Sequence, residues 1–146
     1  MMISIGREVN MFVNRINRQV SNIVSKYGIS GAQAHIINFI HNESKIRDLY
    51  QKDVEKEFDI RRASATNALQ LLEKKGFITR VSVAVDARLK KINLTERGSS
   101  IQIKVASIII GSEQALREKL TNSEYALLLS IIKKLSNIKF QEHAKW

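Results

Sequence analysis

Apolar residues recur at steps of three and four over most of this chain, and the pattern changes in one place only. Val9, Phe12, Val13, Ile16, Val20, Ile23, Val24 and Tyr27 form a single stripe, which predicts an N-terminal helix ended by Gly28. Ser30-Gly31-Ala32-Gln33 reads as a capping box and opens a second helix that buries Ile36, Ile37, Phe39 and Ile40. A polar loop follows, and Asp48-Leu49-Tyr50-Gln51 reads as another capping box, launching a short helix with Val54 and Phe58 inward. Asp59-Ile60 turns the chain into a helix over Arg61–Lys75 whose buried side is Ala65, Ala68, Leu69 and Leu72. Its other positions are polar. After Gly76 the period shortens to that of a strand, through Phe77, Ile78, Thr79 and Arg80, then a loop with Asp86-Ala87-Arg88, and a return from Leu89 to Leu94. Helical spacing resumes at Thr95-Glu96-Arg97-Gly98 with Ile101, Val105, Ile108, Ile109, Leu116 and Leu120, and Gly111-Ser112 is a candidate bend. Thr121 and Glu124 open a last helix through Leu127, Leu128, Ile131, Ile132, Leu135 and Ile138.

Helix, short helix, polar helix and basic hairpin, in that order, are the grammar of a winged helix-turn-helix. The fold class expected is mainly α with a small β-hairpin wing, flanked by long N- and C-terminal dimerisation helices. With no proline, six glycines and no internal repeat, the chain reads as one continuous domain over residues 1–146. The winged lobe covers about 30–95 and the dimerisation helices about 5–28 and 96–143. The terminal stripes carry more apolar surface than one small lobe can cover, so a homodimer is expected.

The net charge of +10 favours a polyanionic partner. Residues 44–98 hold 13 Lys or Arg against 8 Asp or Glu, so the charge leans toward the winged segment. Double-stranded DNA is the expected partner. A recognition helix contacts bases mainly through its N-terminal residues, here Arg61, Arg62, Ala63, Ser64, Thr66, Asn67 and Gln70. Arg62 can pair with guanine, and Asn67 or Gln70 with adenine, each good pair being worth roughly 1–3 kcal/mol of discrimination. Ser64 and Thr66 suit phosphate or sugar, and Ala63 permits close approach. On the wing, Arg80, Arg88, Lys90 and Lys91 surround a hairpin with a single acid, Asp86. An arginine at the tip suits a narrow minor groove, and Asp86 can hold the hairpin in shape.

The absence of cysteine excludes thiol redox switches and thiolate metal sites. There is no nucleophile–base constellation, glycine-rich phosphate loop or metal-ligand motif, and His35, His41 and His143 are scattered. Neither enzymatic activity, a cofactor nor a bound metal is expected. No apolar run is long enough to span a membrane and Met1 to Arg7 does not resemble a signal peptide, so a cytoplasmic location is the expectation. The competing class is a winged-helix adaptor that binds another protein without sequence-specific DNA binding.

Residues 30–98 resemble the MarR family of bacterial transcriptional regulators. LEKKGFITR at 72–80, followed by DARLKKINLTERG at 86–98, is similar to that family's signature, and the flanking helices match in length and order. The resemblance implies a homodimer with interlocked terminal helices, each subunit offering one recognition helix and one wing to half of a near-palindromic operator. It places Arg62 to Asn67 and Gln70 on the major-groove helix, Arg88 on the wing arginine and Asp86 on the acid that orients it. It also implies a repressor released by a small aromatic or lipophilic effector, for which Phe12, Ile16, His35 and Phe39 are candidate lining residues. The chain departs from the pattern at Arg61, where a small capping residue is usual and Asp59 can share the cap. Tyr50 stands where Thr is common and Asp48 can take over its role, and Ala87 stands where a second wing arginine is common. The missing cysteines count against the family's peroxide-sensing branch, and the scattered histidines against its zinc-sensing branch.

Overall fold

In the computed structural model, residues 3–86 and 88–141 are described. Met1, Met2, Ala87 and residues 142–146, including His143 and the end of the expected 96–143 region, lie outside them. The element order is α1 (Ile5–Val24), a 3-10 turn (Ser25–Tyr27), α2 (Gly31–Glu43), α3 (Gln51–Glu57), α4 (Arg62–Lys74), β1 (Ile78–Ser82), β2 (Lys90–Leu94), α5 (Glu96–Glu118) and α6 (Asn122–Ser136). The chain forms two compact units, one reaching Ile110 and the other beginning at Gly111. Helix α5 stays helical through Gly111.

Local chemistry sets most helix boundaries in the first unit. Ser4 caps α1, accepting from the Arg7 N–H at 3.3 Å. Gly28 ends the segment at φ 75°, a left-handed conformation with little cost only for glycine. The capping box at the start of α2 forms as expected: the Gln33 N–H donates to Ser30 Oγ, and the Ser30 N–H donates to Gln33 Oε1. Gly31 lets α2 approach α1, since a Cβ there would stand 2.9 Å from Ser21 Oγ, the group that accepts from the Gly31 N–H.

The start of α3 differs from the expectation. Tyr50 occupies the cap position, and the Asp53 carboxylate accepts from the Tyr50 N–H at 2.9 Å. Asp48 and Gln51 do not form the box. The reason is tertiary: Leu49 is fully buried, and its carbonyl accepts from the Ile92 N–H of β2 at 2.8 Å. Residues 48 and 49 are thus held beside the hairpin, and the helix begins beyond them. Asp48 instead pairs with Lys91 Nζ at 2.9 Å.

The core joins Val20, Val24, Ile29, Ile37, Ile40, Leu49, Val54, Leu69, Leu72, Phe77, Ile78, Ile92 and Val105, drawn from all four first helices, both strands and α5. Burying each such large side chain contributes roughly 1.5–3 kcal/mol. Where α4, β1 and α5 meet, the Thr95 hydroxyl donates to the Gly76 carbonyl at 2.6 Å and accepts from the Gly98 N–H at 3.0 Å. A Cβ on Gly98 would lie 2.0 Å from the Phe77 carbonyl oxygen, so only glycine fits. Arg97 covers the Phe77 ring, 4.8 Å from its centroid. This junction is the physical content of the LTERG motif: it fixes the hairpin's base against α4.

In the second unit, Thr121 and Glu124 form the expected capping box on α6, and Arg117 stacks on Tyr125, 4.0 Å from the ring centroid. No residue of α6 is buried; Leu127, Leu128, Ile131, Ile132 and Leu135 are all exposed.

Candidate nucleic-acid interface

Packing of α4 determines which of its side chains are open. Ala65, Leu69 and Leu72 recur at steps of four and three and are buried against the lobe. The remaining surface puts Arg62, Ala63, Ser64, Asn67 and Gln70 in solvent. Arg61 is the cap residue, in extended backbone and without a side-chain capping hydrogen bond. The first turn of α4 therefore offers a run of polar and small side chains together with the helix N-terminus, which favours a phosphate.

Thr66 is placed differently from its neighbours. It is half-buried, and its hydroxyl accepts from Gln51 Nε2 of α3 at 2.8 Å. The same amide reaches the Arg62 carbonyl at 3.4 Å. Gln51 thus braces the first turn of α4 from behind, a role that its local sequence does not signal. The α3 start is itself held by Arg47, which bonds Asp53 at 2.7 Å and Glu43 at 3.3 Å. Burial raises the Asp53 pKa, but the Arg47 and Tyr50 hydrogen bonds outweigh it and leave the carboxyl below its ordinary value.

The wing is an antiparallel hairpin in the register Ile78↔Leu94, Thr79↔Asn93, Arg80↔Ile92, Val81↔Lys91 and Ser82↔Lys90. Alternation along β1 puts Ile78 and Arg80 on the core side and Thr79 and Val81 on the solvent side. Arg80 is consequently not an open cation. Its side chain is only 14% exposed, and Nη2 donates to Glu73 Oε1 of α4 at 3.1 Å. Its Nε is buried and has no hydrogen-bond partner among the described residues. The Arg80 hydrogen bond holds the Glu73 carboxyl below its ordinary range, with further help from the Arg80 backbone N–H and from Lys90.

At the tip, Asp86 Oδ1 accepts from the Arg88 N–H at 2.9 Å and from its Nε at 3.4 Å. The Arg88 side chain is 93% exposed. An exposed pair of this kind adds little stability; its effect is to orient the guanidinium beyond the hairpin. Lys90 is exposed, and Lys91 is tied to Asp48. Of the four wing cations, Arg88 and Lys90 are presented outward, whereas Arg80 and Lys91 join the wing to the lobe.

The candidate effector residues differ in burial. Phe39 packs edge-on against Phe58, with ring centroids 5.7 Å apart, at the margin of the core. Ile16 and His35 are half-buried, and Phe12 is 51% exposed on α1. Among the described residues there is no group of His, Asp or Glu able to hold a metal ion, and no helix is long and apolar enough to cross a membrane.

Comparison with known proteins matches residues 27–89 to the MarR family model. The transcription regulator MarR from Oenococcus oeni PSU-1 is 25% identical with a TM-score of 0.79, covering 92% of this chain and 100% of that one. MepR from S. aureus, solved as a DNA complex, is 24% identical with a TM-score of 0.86, covering 94% and 100%. A cysteine-to-serine mutant of E. coli MarR complexed with operator DNA is 24% identical with a TM-score of 0.77, covering 89% and 91%. The matched segment contains the whole helix-turn-helix and reaches the wing tip, and the structural likeness extends over nearly the full chain. Over residues 27–89 the chain is thus similar to the MarR family, and nearly its full length shares the winged helix-turn-helix fold of these regulators.

Proposed function

We propose that this protein is a transcriptional regulator that binds a near-palindromic operator as a homodimer and is released by a small aromatic or lipophilic effector. The observation that carries the DNA reading is the pairing, within one compact unit, of an open polar α4 N-terminus with an outward Arg88 on a hairpin braced to the same helix. In this reading Arg62, Asn67 and Gln70 meet base edges in the major groove, while Arg61 and Ser64 meet the phosphate backbone. Ala63 permits close approach. Arg88 enters the adjacent minor groove, held by Asp86, and Lys90 neutralises a phosphate. Thr66 acts from within the protein, through Gln51. The S. aureus and E. coli relatives, both solved with DNA, support the DNA-binding reading.

The homodimer is supported by apolar faces without cover. Ile5, Val9, Phe12 and Val13 of α1 are exposed in the first unit, and the apolar residues of α6 are exposed in the second. A two-fold dimer would set two α4 helices on half-sites about one helical turn, ~34 Å, apart. For the effector, Phe12 and Ile16 lie one turn apart on α1, and His35 and Phe39 one turn apart on α2, against which α1 packs.

The test is site selection from random duplex DNA, followed by titration at several salt concentrations. The expected result is a two-fold consensus and a log–log salt slope of several units, since each neutralised phosphate contributes about 0.9. Binding without sequence preference, or a slope near zero, would contradict it.

A further inference from the structure

We propose that Glu73 and Arg80 are positioning residues that set the wing's placement relative to the recognition helix, so that Arg88 reaches its groove only while this clamp is closed. The inference rests on the DNA-binding reading above and concerns how the two contact elements are coupled.

Strand parity makes the case. Arg80 stands at a core-facing position of β1, between Ile78 two residues earlier and Ile92 across the ladder, both fully buried. A hydrophobic residue would satisfy that position. Arginine can occupy it because its aliphatic stem covers apolar surface while the head seeks a polar partner. Its partner is Glu73, the next-to-last residue of α4, at 3.1 Å.

This grip is specific in a way that simple packing is not. The wing leaves the lobe as two strands, and none of the described residues from Val83 to Leu89 is buried. An error in the angle at Arg80 is therefore magnified at Arg88. Lys91 and Asp48, paired at 2.9 Å, restrain the other strand against the segment before α3. The wing is thereby fixed on both strands, one to α4 and one to the lobe.

The experiment is a double-mutant cycle on affinity, using a duplex selected by the wild-type protein. Arg88→Ala is measured in the wild-type, Glu73→Gln and Arg80→Met backgrounds. Arg80→Met keeps an inward stem, and Glu73 is 40% exposed, so both variants retain the core; melting curves verify this. The expected result is a penalty of about tenfold for Arg88→Ala in wild type, about 1.4 kcal/mol. That penalty should shrink below about threefold in either clamp variant. A purely structural role would lower the melting temperature and leave the Arg88 penalty unchanged, and that outcome would overturn the proposal. Lack of penalty in wild type would also overturn it, because no wing contact would exist to position. Failure of the wild-type protein to bind any duplex would instead refute the DNA-binding reading itself.

Discussion

The first turn of α4 and the wing both carry basic side chains, but they are held in opposite ways. On α4, Arg61, Arg62, Asn67 and Gln70 stand in solvent, and the helix beneath them is fixed by Ala65, Leu69 and Leu72 and braced by Gln51. On the wing, two of four cations are consumed in holding the hairpin, and Arg88 is oriented by Asp86. A rigid helix can offer free side chains because its backbone supplies the precision. A two-stranded ribbon has no such rigidity and uses charge pairs as struts. Counting cations therefore overstates what the wing presents to a partner.

This contrast can be broken at its root. Gly98→Ala would place a methyl group against the Phe77 carbonyl and force the junction of α4, β1 and α5 apart. Overpacking costs typically about 1–3 kcal/mol and occasionally more. A large fall in melting temperature, with loss of duplex binding, is the expected outcome; an unchanged melting curve would show that the junction does not hold the two regions together.

A finer cut separates the helix from the wing. Asn67→Ala should remove roughly 1–3 kcal/mol of base discrimination at one position of each half-site, with little change in salt slope. Arg88→Ala should do the reverse, lowering affinity across sequences and reducing the slope by about one unit. If both variants altered the same property, the division of labour would be wrong.

The smallest effect tests the strut chemically. Because Arg80 depresses the Glu73 pKa, the pair contributes stability above the carboxyl's unfolded value of 4.5 and loses it as pH falls through the lower folded value. Glu73→Gln should accordingly melt slightly below wild type at pH 7, and the two should converge as pH falls through the lowered folded value. A gap that persists in acid would mean the pair is not what the substitution removes.

What was legible in the sequence follows the range of the forces involved. The boxes at Ser30–Gln33 and Thr121–Glu124 and the Gly28 stop all act within three residues, and each forms as read, whereas Asp86 accepts from the Arg88 N–H two residues on and not across the hairpin. The helical stripes marked the faces too: Val20 and Val24 turn inward, and α6 is left uncovered. Asp48 and Gln51 were misleading because β2, over forty residues later, holds Leu49 and shifts the helix start. Arg80 looked like an open cation because its partner lies on another element, although strand alternation from the buried Ile78 was a usable signal. Gln51 and Glu73 had no local signal, since each works through tertiary contact alone.

The most direct test of the central claim is methylation interference on the selected operator. Methyl groups are placed at guanine N7 in the major groove and adenine N3 in the minor groove. Two clusters of guanine interference about one helical turn apart, each accompanied by adenine interference where Arg88 would enter, are the predicted result. Arg88→Ala should erase the adenine signal and leave the guanine signal. Interference confined to one groove, or absent from both, would contradict the assignment of α4 and the wing to separate grooves.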